Sequence, residues 1–382
     1  MSISPLPPPI LIADEAGLAE LVRALAQYPV VAIDTESNSL HAYRERVCLI
    51  QFSTLAIDYI LDPLRLPDLS PLAPFFASPR QQKIFHAAEY DLICLKRDYQ
   101  FEFAEIFDTM SAARALGWPH LGLGAILETH FGVKLNKKYQ RADWGQRPLT
   151  PEQLDYARLD THYLVPVREI QLKELTESDR WPEAREEFAR LARVRGDPDN
   201  GPDPKAFWRV NGARDLTPAQ AAVLKELFLY REQQAERIDR PPFKVMGDAT
   251  LVEIARHCPR RPDDLKGLSG MTPGQIHRHA HGLLQAVQHG LSAPPQRPPH
   301  AAREPDEIRE RYDLLHKWRK EKAKARGVES DVILPRDTLW DLARRAPRTL
   351  AELTQIQDLG PWRRETYGEE ILRVLSSSNE EQ

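Results

Sequence analysis

From residue 227 onward the chain repeats itself at one fixed offset of 88 residues, and the match needs no gap. Leu227, Tyr230, Arg231 and Ala235 correspond to Leu315, Trp318, Arg319 and Ala323. Thr250, Leu251, Ala255, Arg256, Pro259 and Leu265 correspond to Thr338, Leu339, Ala343, Arg344, Pro347 and Leu353. Leu268, Pro273, Leu283 and Leu284 correspond to Ile356, Pro361, Ile371 and Leu372. A unit this long, holding several amphipathic helices, means a duplicated small all-α domain rather than a solenoid. The spacer between the copies, 292–305, carries Pro294, Pro295, Pro298, Pro299 and Pro305, so it reads as a stiff extended linker.

The first 175 residues have a different rhythm. Residues 14–27 place Leu18, Leu21, Val22 and Leu25 at helical spacing. Residues 30–34 read as a strand, and 47–53 and 56–61 as short β runs near enough to pair. Residues 83–86 read as a further strand leading into a helix over 87–96, and strands and helices alternate to about residue 170. That order predicts an α/β domain with a mixed sheet flanked by helices. The expected division is 1–175, a connecting helix and linker over 176–212, a first helical domain over 213–291, the spacer 292–305, and a second helical domain over 306–378.

Composition excludes several classes. With 382 residues and 42% hydrophobic content the chain can bury large cores. A net charge of -4 gives no global basic signature, so any nucleic-acid contact is local. No stretch approaches a membrane span, and no signal peptide is visible at the N-terminus. Cys48, Cys94 and Cys258 sit in apolar contexts with no Cys-x-x-Cys spacing, and read as buried thiols of a reducing compartment. A cytoplasmic protein is expected, and a monomer, since nothing resembles a dimer seam.

Three segments carry candidate chemistry. Val30, Val31, Ala32 and Ile33 run straight into Asp34, Thr35 and Glu36. Residues two apart on a strand share a face, so Asp34 and Glu36 aim at one spot. Two carboxylates about 4 Å apart repel by roughly 4 kcal/mol at an effective dielectric near 20. A hard divalent cation, Mg²⁺ or Mn²⁺, relieves this; a solvated acidic turn is the plainer alternative. Asp91 falls in the first turns of the helix after the 83–86 strand, where open sheets place their sites; an ordinary acid favoured at a helix N-terminus reads the same. Thr150, Pro151 and Gln153 make a helix start, and on that helix Tyr156 and Asp160 share a face while Asp155 points elsewhere.

Taken together, Asp34-x-Glu36, His86 with Asp91 five residues on, and Tyr156 with Asp160 resemble the three exonuclease motifs of the DEDD superfamily, in its tyrosine subclass. The run over 134–147, with Lys134, Lys137, Lys138, Tyr139, Arg141, Asp143, Trp144 and Arg147, resembles the ribonuclease D branch of that superfamily. Each helical copy resembles an HRDC domain, the second more closely than the first. The resemblance implies a ribonuclease H-like fold and metal-dependent removal of nucleotides from a 3′ end. Its implied substrates are tRNA precursors and other small structured RNAs with a free 3′ end. A DNA exonuclease and a non-catalytic RNA-binding scaffold are the alternatives.

The residue types suit that chemistry. Asp34, Glu36, Asp91 and Asp160 carry about the charge that two divalent cations bring, and two such ions clamp the attacking and leaving oxygens of an in-line displacement. Tyr156 is expected to orient a water rather than to act as a base, since a phenol ordinarily titrates near 10. His86 reads as a core histidine. Lys137, Lys138, Arg141, Trp144 and Arg147 are expected to rim a single strand, with cations on phosphates and rings for stacking, or else to form a solvated loop with Trp144 in the core. By family analogy Leu40 packs on the terminal base. Arg319 and Lys322, in the basic stretch 317–326 of the second copy, are expected to grip the folded body of an RNA, unless that stretch is only a solvated helix face.

Overall fold

The protein is described here from a computed structural model, which covers residues 6–196, 203, 205–299 and 304–377. Its first domain is built on a six-stranded mixed sheet. The strands are β1 (Ile10–Ile12), β2 (Val30–Ser37), β3 (Val47–Ser53), β4 (Asp58–Leu61), β5 (Gln82–Phe85) and β6 (Ile106–Asp108), in the order β1-β4-β3-β2-β5-β6. β3 and β4 pair antiparallel as their proximity predicts; β1 with β4, β2 with β5 and β5 with β6 are parallel. All seven residues of β3 are buried, as a central strand covered on both faces requires.

Eight helices surround the sheet. They are α1 (Glu15–Leu25), α2 (Ala73–Ala77), α3 (Glu89–Tyr99), α4 (Thr109–Leu116), α5 (Leu123–Phe131), α6 (Pro151–His162), α7 (Leu164–Glu177) and α8 (Trp181–Leu191). The mixed α/β reading of this half therefore holds. β4 begins at Asp58, later than its sequence suggests, because the Thr54 hydroxyl accepts from the amides of Ala56 and Ile57 and folds them into a turn. β2 runs past Asp34 to Ser37. It is buried through Ile33 and only half-buried from Asp34 on, so its acids emerge at the strand's C-terminal end.

The repeat is kept in the placement of the helices along the chain. The first copy contains α9 (Pro218–Arg237), α10 (Pro242–Val245), α11 (Asp248–His257) and α12 (Pro273–Ser292). The second contains α13 (Asp306–Arg326), α14 (Ser330–Ile333), α15 (Arg336–Arg345) and α16 (Pro361–Ser377), so every helix start lies 88 residues after its counterpart. Left-handed backbone recurs at the same interval, at Asp239 and Gly327, Cys258 and Ala346, Gly270 and Asp358. Each copy encloses its own core. Of the spacer between them, residues 300–303 lie outside the described residues, as do 197–202 and 204 of the expected linker.

Two compact units emerge, cut across the expected domains. One holds residues 1–36, 47–197 and 304–382, so the second copy joins the α/β domain. There Arg326 donates to both oxygens of Glu183 at 2.6 and 2.8 Å, Arg363 pairs with Glu186 at 2.8 Å, and Arg114 meets Glu329 and Asp331. The other unit holds 37–46 and 198–303. In it the segment after β2 folds onto α9: the Tyr43 hydroxyl donates to Glu232 at 3.2 Å, the Tyr43 amide to Asp239 at 3.1 Å, and Arg44 pairs with Glu236 at 3.2 Å.

Candidate active site

Three elements deliver the acids. The strand period puts Asp34 and Glu36 on one face of β2. α6 is started by a complete capping box, in which Thr150 and Gln153 satisfy each other's amides, with Pro151 at its first turn. It presents Tyr156 and Asp160 on one face, while Asp155 turns away to pair with Arg158 at 2.9 Å. The far end of α6 is tied to the sheet: the Nδ1 of His162 lies 2.9 Å from Asp58, whose other oxygen accepts from Ser53 at 2.7 Å, and Ser53 is 2.6 Å from the Thr161 hydroxyl.

One ligand oxygen each from Asp34, Glu36 and Asp160 all lie within 4.8 Å of one another. Asp91, buried in the first turn of α3, is joined to the cluster through Thr35, whose hydroxyl donates to it at 2.5 Å. The four acids share one electrostatic field. Burial first, then the charges of Asp91, Asp160 and Glu36, hold Asp34 well above the usual carboxylate range. Burial and the charges of Asp160 and Asp91 push Glu36 up to about 9. Burial raises Asp91 to about 7, opposed by the Thr35 bond, and burial with the Asp91 charge raises Asp160 to about 7. Four carboxyls crowded until they resist ionisation are the donor set a hard divalent cation requires, and a cation would reverse the shifts. Tyr156 is pushed above its ordinary value by burial and by Asp160, Glu36 and Asp34, so its phenol faces the acids as a neutral hydroxyl.

Several sequence expectations about nucleic-acid contacts need correction. Trp144 is 2% exposed and packs in the core with its ring 5.9 Å from that of Tyr156, so it offers no face to a base. Arg147 is committed to the protein: it donates to both oxygens of Asp62 at 2.6 and 2.7 Å and to the carbonyls of Cys48, Trp144 and Gln146. Arg319 is buried, and its guanidinium donates to the Leu334 carbonyl at 2.9 Å; Arg231 does the same to Met246, both donor and acceptor displaced by 88 residues. The repeated arginine thus satisfies a helix end in each copy. Lys322 pairs with Glu370 at 2.7 Å, and Trp318 donates to the same carboxylate. Lys137, Lys138 and Arg141 are exposed on the loop before α6, where Lys138 lies over the Tyr139 ring. Leu40 is exposed, in the segment folded onto α9. His86 is held by Thr109 at 2.9 Å with its pKa lowered by burial, as a core histidine.

Sequence reasoning missed the supporting residues Thr35, Asp62 and Asp58. Thr35 was visible only as the middle of Asp-x-Glu, and the two aspartates meet partners far along the chain.

Known proteins resemble the chain along its whole length. A family described as 3′-5′ exonuclease matches residues 9–176, and the HRDC domain family matches 220–287 and 309–375. Ribonuclease D of Pseudomonas paraeruginosa is 30% identical over 374 residues, spanning 96% of this chain and 97% of that protein. Protein RRP6-like 3 of Arabidopsis thaliana is 40% identical over 174 residues, 44% of this chain and 20% of its own. The crystal structure of Escherichia coli RNase D, described as an exoribonuclease involved in structured RNA processing, superposes with a TM-score of 0.71 at 25% identity, covering 97% of this chain and 99% of that one.

Proposed function

Because the chain belongs to the ribonuclease D family and is a 3′-5′ exoribonuclease of that type, we propose that it trims the 3′ ends of tRNA precursors and other small structured RNAs, releasing 5′-mononucleotides. The observation that carries the reading is the convergence of Asp34, Glu36 and Asp160 within 4.8 Å, with Asp91 in the same field and the Tyr156 phenol facing them. Water attacks the terminal phosphodiester, the bond to the 3′ oxygen breaks, and the shortened RNA keeps a 3′ hydroxyl. Asp34, Glu36, Asp91 and Asp160 would hold two divalent cations, Mg²⁺ or Mn²⁺, which supply Lewis-acid stabilisation of both oxygens and a more acidic water.

The chain's own residues do the rest. Tyr156 keeps its proton across the working pH range, so it serves as a hydrogen-bond partner that orients the water and cannot be the base. Lys137, Lys138 and Arg141 stand exposed on the loop before α6 to meet phosphates. Leu40 packs on the terminal base. The proposal includes work as a monomer in the cytoplasm.

The test is direct. Purified protein with Mg²⁺ and a 5′-labelled single-stranded RNA gives a ladder shortened from the 3′ end, and EDTA or Asp34→Ala abolishes it. A ladder that persists in Asp34→Ala refutes the site. DNA of the same sequence, run in parallel, decides the sugar, because the carboxylates act on phosphate and the 2′-hydroxyl is read elsewhere.

A further inference from the structure

The two helical copies use one face differently. In the second copy, the turn after α13 and the start of α14 dock on the α/β domain. Arg326 pairs with Glu183, Asp331 meets Arg114, and Val332 lines a small cavity beside Glu183 and Ala184. The 88-residue offset places Ile238, Phe243 and Lys244 of the first copy at these three positions. There Ile238 is 52% exposed, Phe243 is 55% exposed, and Lys244 is exposed.

That face is continuous with the segment leaving β2. Arg240 donates to the His41 carbonyl at 3.4 Å, and Lys244 lies 3.4 Å from the His41 ring nitrogen, beside Leu40, which is 41% exposed. The acids of the turn are occupied: Asp239 accepts from the Tyr43 amide and Glu236 pairs with Arg44. What remains exposed is Leu40, Ile238 and the Phe243 ring, with the cations Arg240 and Lys244 near them in sequence. Single exposed apolar residues need no explanation, but apolar residues at the positions the second copy uses for docking, beside two cations, mark an interaction surface.

We propose that Ile238 and Phe243, flanked by Arg240 and Lys244, extend the base contact of Leu40 into a landing surface for a single-stranded stretch of RNA. The proposal rests on the exoribonuclease reading and deepens it. A ring and two aliphatic side chains take base faces whatever the sequence, and the cations take the phosphates between them. A protein segment would also use apolar anchors, but only one carrying its own acids would make affinity depend on salt through Arg240 and Lys244.

The test separates this surface from the catalytic reading. Binding of a fluorescent single-stranded RNA to the full chain is followed by anisotropy in EDTA, across a salt series. Phe243→Ala weakens binding about tenfold, the loss of one stacked base. Arg240→Ala with Lys244→Ala reduces the slope of log affinity against log salt by about 1.4, or roughly 0.7 for each phosphate contact. Leu291→Ala, which removes a comparably exposed side chain from α12, changes neither. Thermal melts check that each variant folds. Unchanged affinity and slope in the Phe243 and Arg240/Lys244 variants overturn the proposal, as does equal weakening by Leu291→Ala. Failure of the unsubstituted enzyme to shorten RNA with Mg²⁺ would instead remove the exoribonuclease reading beneath it.

Discussion

The Thr35 hydroxyl donates to Asp91 at 2.5 Å, so the residue between the two acids of β2 holds the acid of α3 in place. Burial pushes Asp91 up and this bond pulls it down. Thr35→Val keeps the shape and removes the donor. A hydrogen bond to a charged group contributes about 1.5–3 kcal/mol, so the divalent-metal concentration for half-maximal activity rises at least about tenfold. Thr35→Ser restores it. A metal titration unaltered by the valine would show that the bond does nothing for the site.

Asp34 with Glu36 and Tyr156 with Asp160 were legible as pairs within one element, a period of two on β2 and of four on α6; Asp91, alone on α3, was legible only through the order of the three motifs. The supporting residues were not legible, because their partners lie far away in sequence. Arg147 and Asp62 are 85 residues apart, and a run of cations with interleaved rings reads the same whether the rings face water or core. Arg319 was legible in principle. Its match to Arg231 across the repeat signalled a role shared by both copies, and both prove to be buried donors to a carbonyl. β1 and β6, three residues each, are too short for periodicity to reveal.

Without metal, the acid cluster sets how stability varies with pH. Glu36 at about 9, Asp91 and Asp160 at about 7, and Asp34 well raised all hold protons in the fold that the unfolded chain releases near pH 4. At these four groups the folded state then binds more protons, so the cluster's contribution to stability is greatest at low pH and declines as pH rises through these values. In EDTA the melting temperature is expected to fall between about pH 5 and pH 9. Saturating Mg²⁺ or Glu36→Gln should flatten that fall. A melting temperature independent of pH in EDTA would mean that the carboxyls are not crowded.

Arg147 is the latch of the loop that backs Tyr156. Its bonds to Asp62, Cys48, Trp144 and Gln146 hold Trp144 against the Tyr156 ring, with Tyr139 edge-on at 5.8 Å on the same ring. Lysine keeps the charge and loses the fork. Arg147→Lys is therefore expected to lower kcat, by as much as 10²-fold if Tyr156 moves by about 1 Å, while RNA affinity in EDTA stays the same. The opposite split, with weaker RNA binding, a smaller salt slope and normal kcat at saturating RNA, would return Arg147 to the phosphate-binding rim.

Arg326 decides what the basic stretch of α13 is for. Its partner Glu183 is 1% exposed, and the Tyr367 hydroxyl accepts from the same guanidinium. Removing one member of such a buried pair costs about 3–5 kcal/mol, because the other charge stays behind. Arg326→Ala should lower the melting temperature clearly and leave affinity for structured RNA nearly unchanged. Deleting the whole copy cannot separate these roles, since it uncovers Glu183 and Glu186 together. If Arg326→Ala melts normally and binds structured RNA less tightly with a smaller salt slope, α13 grips RNA and the ion pair is incidental.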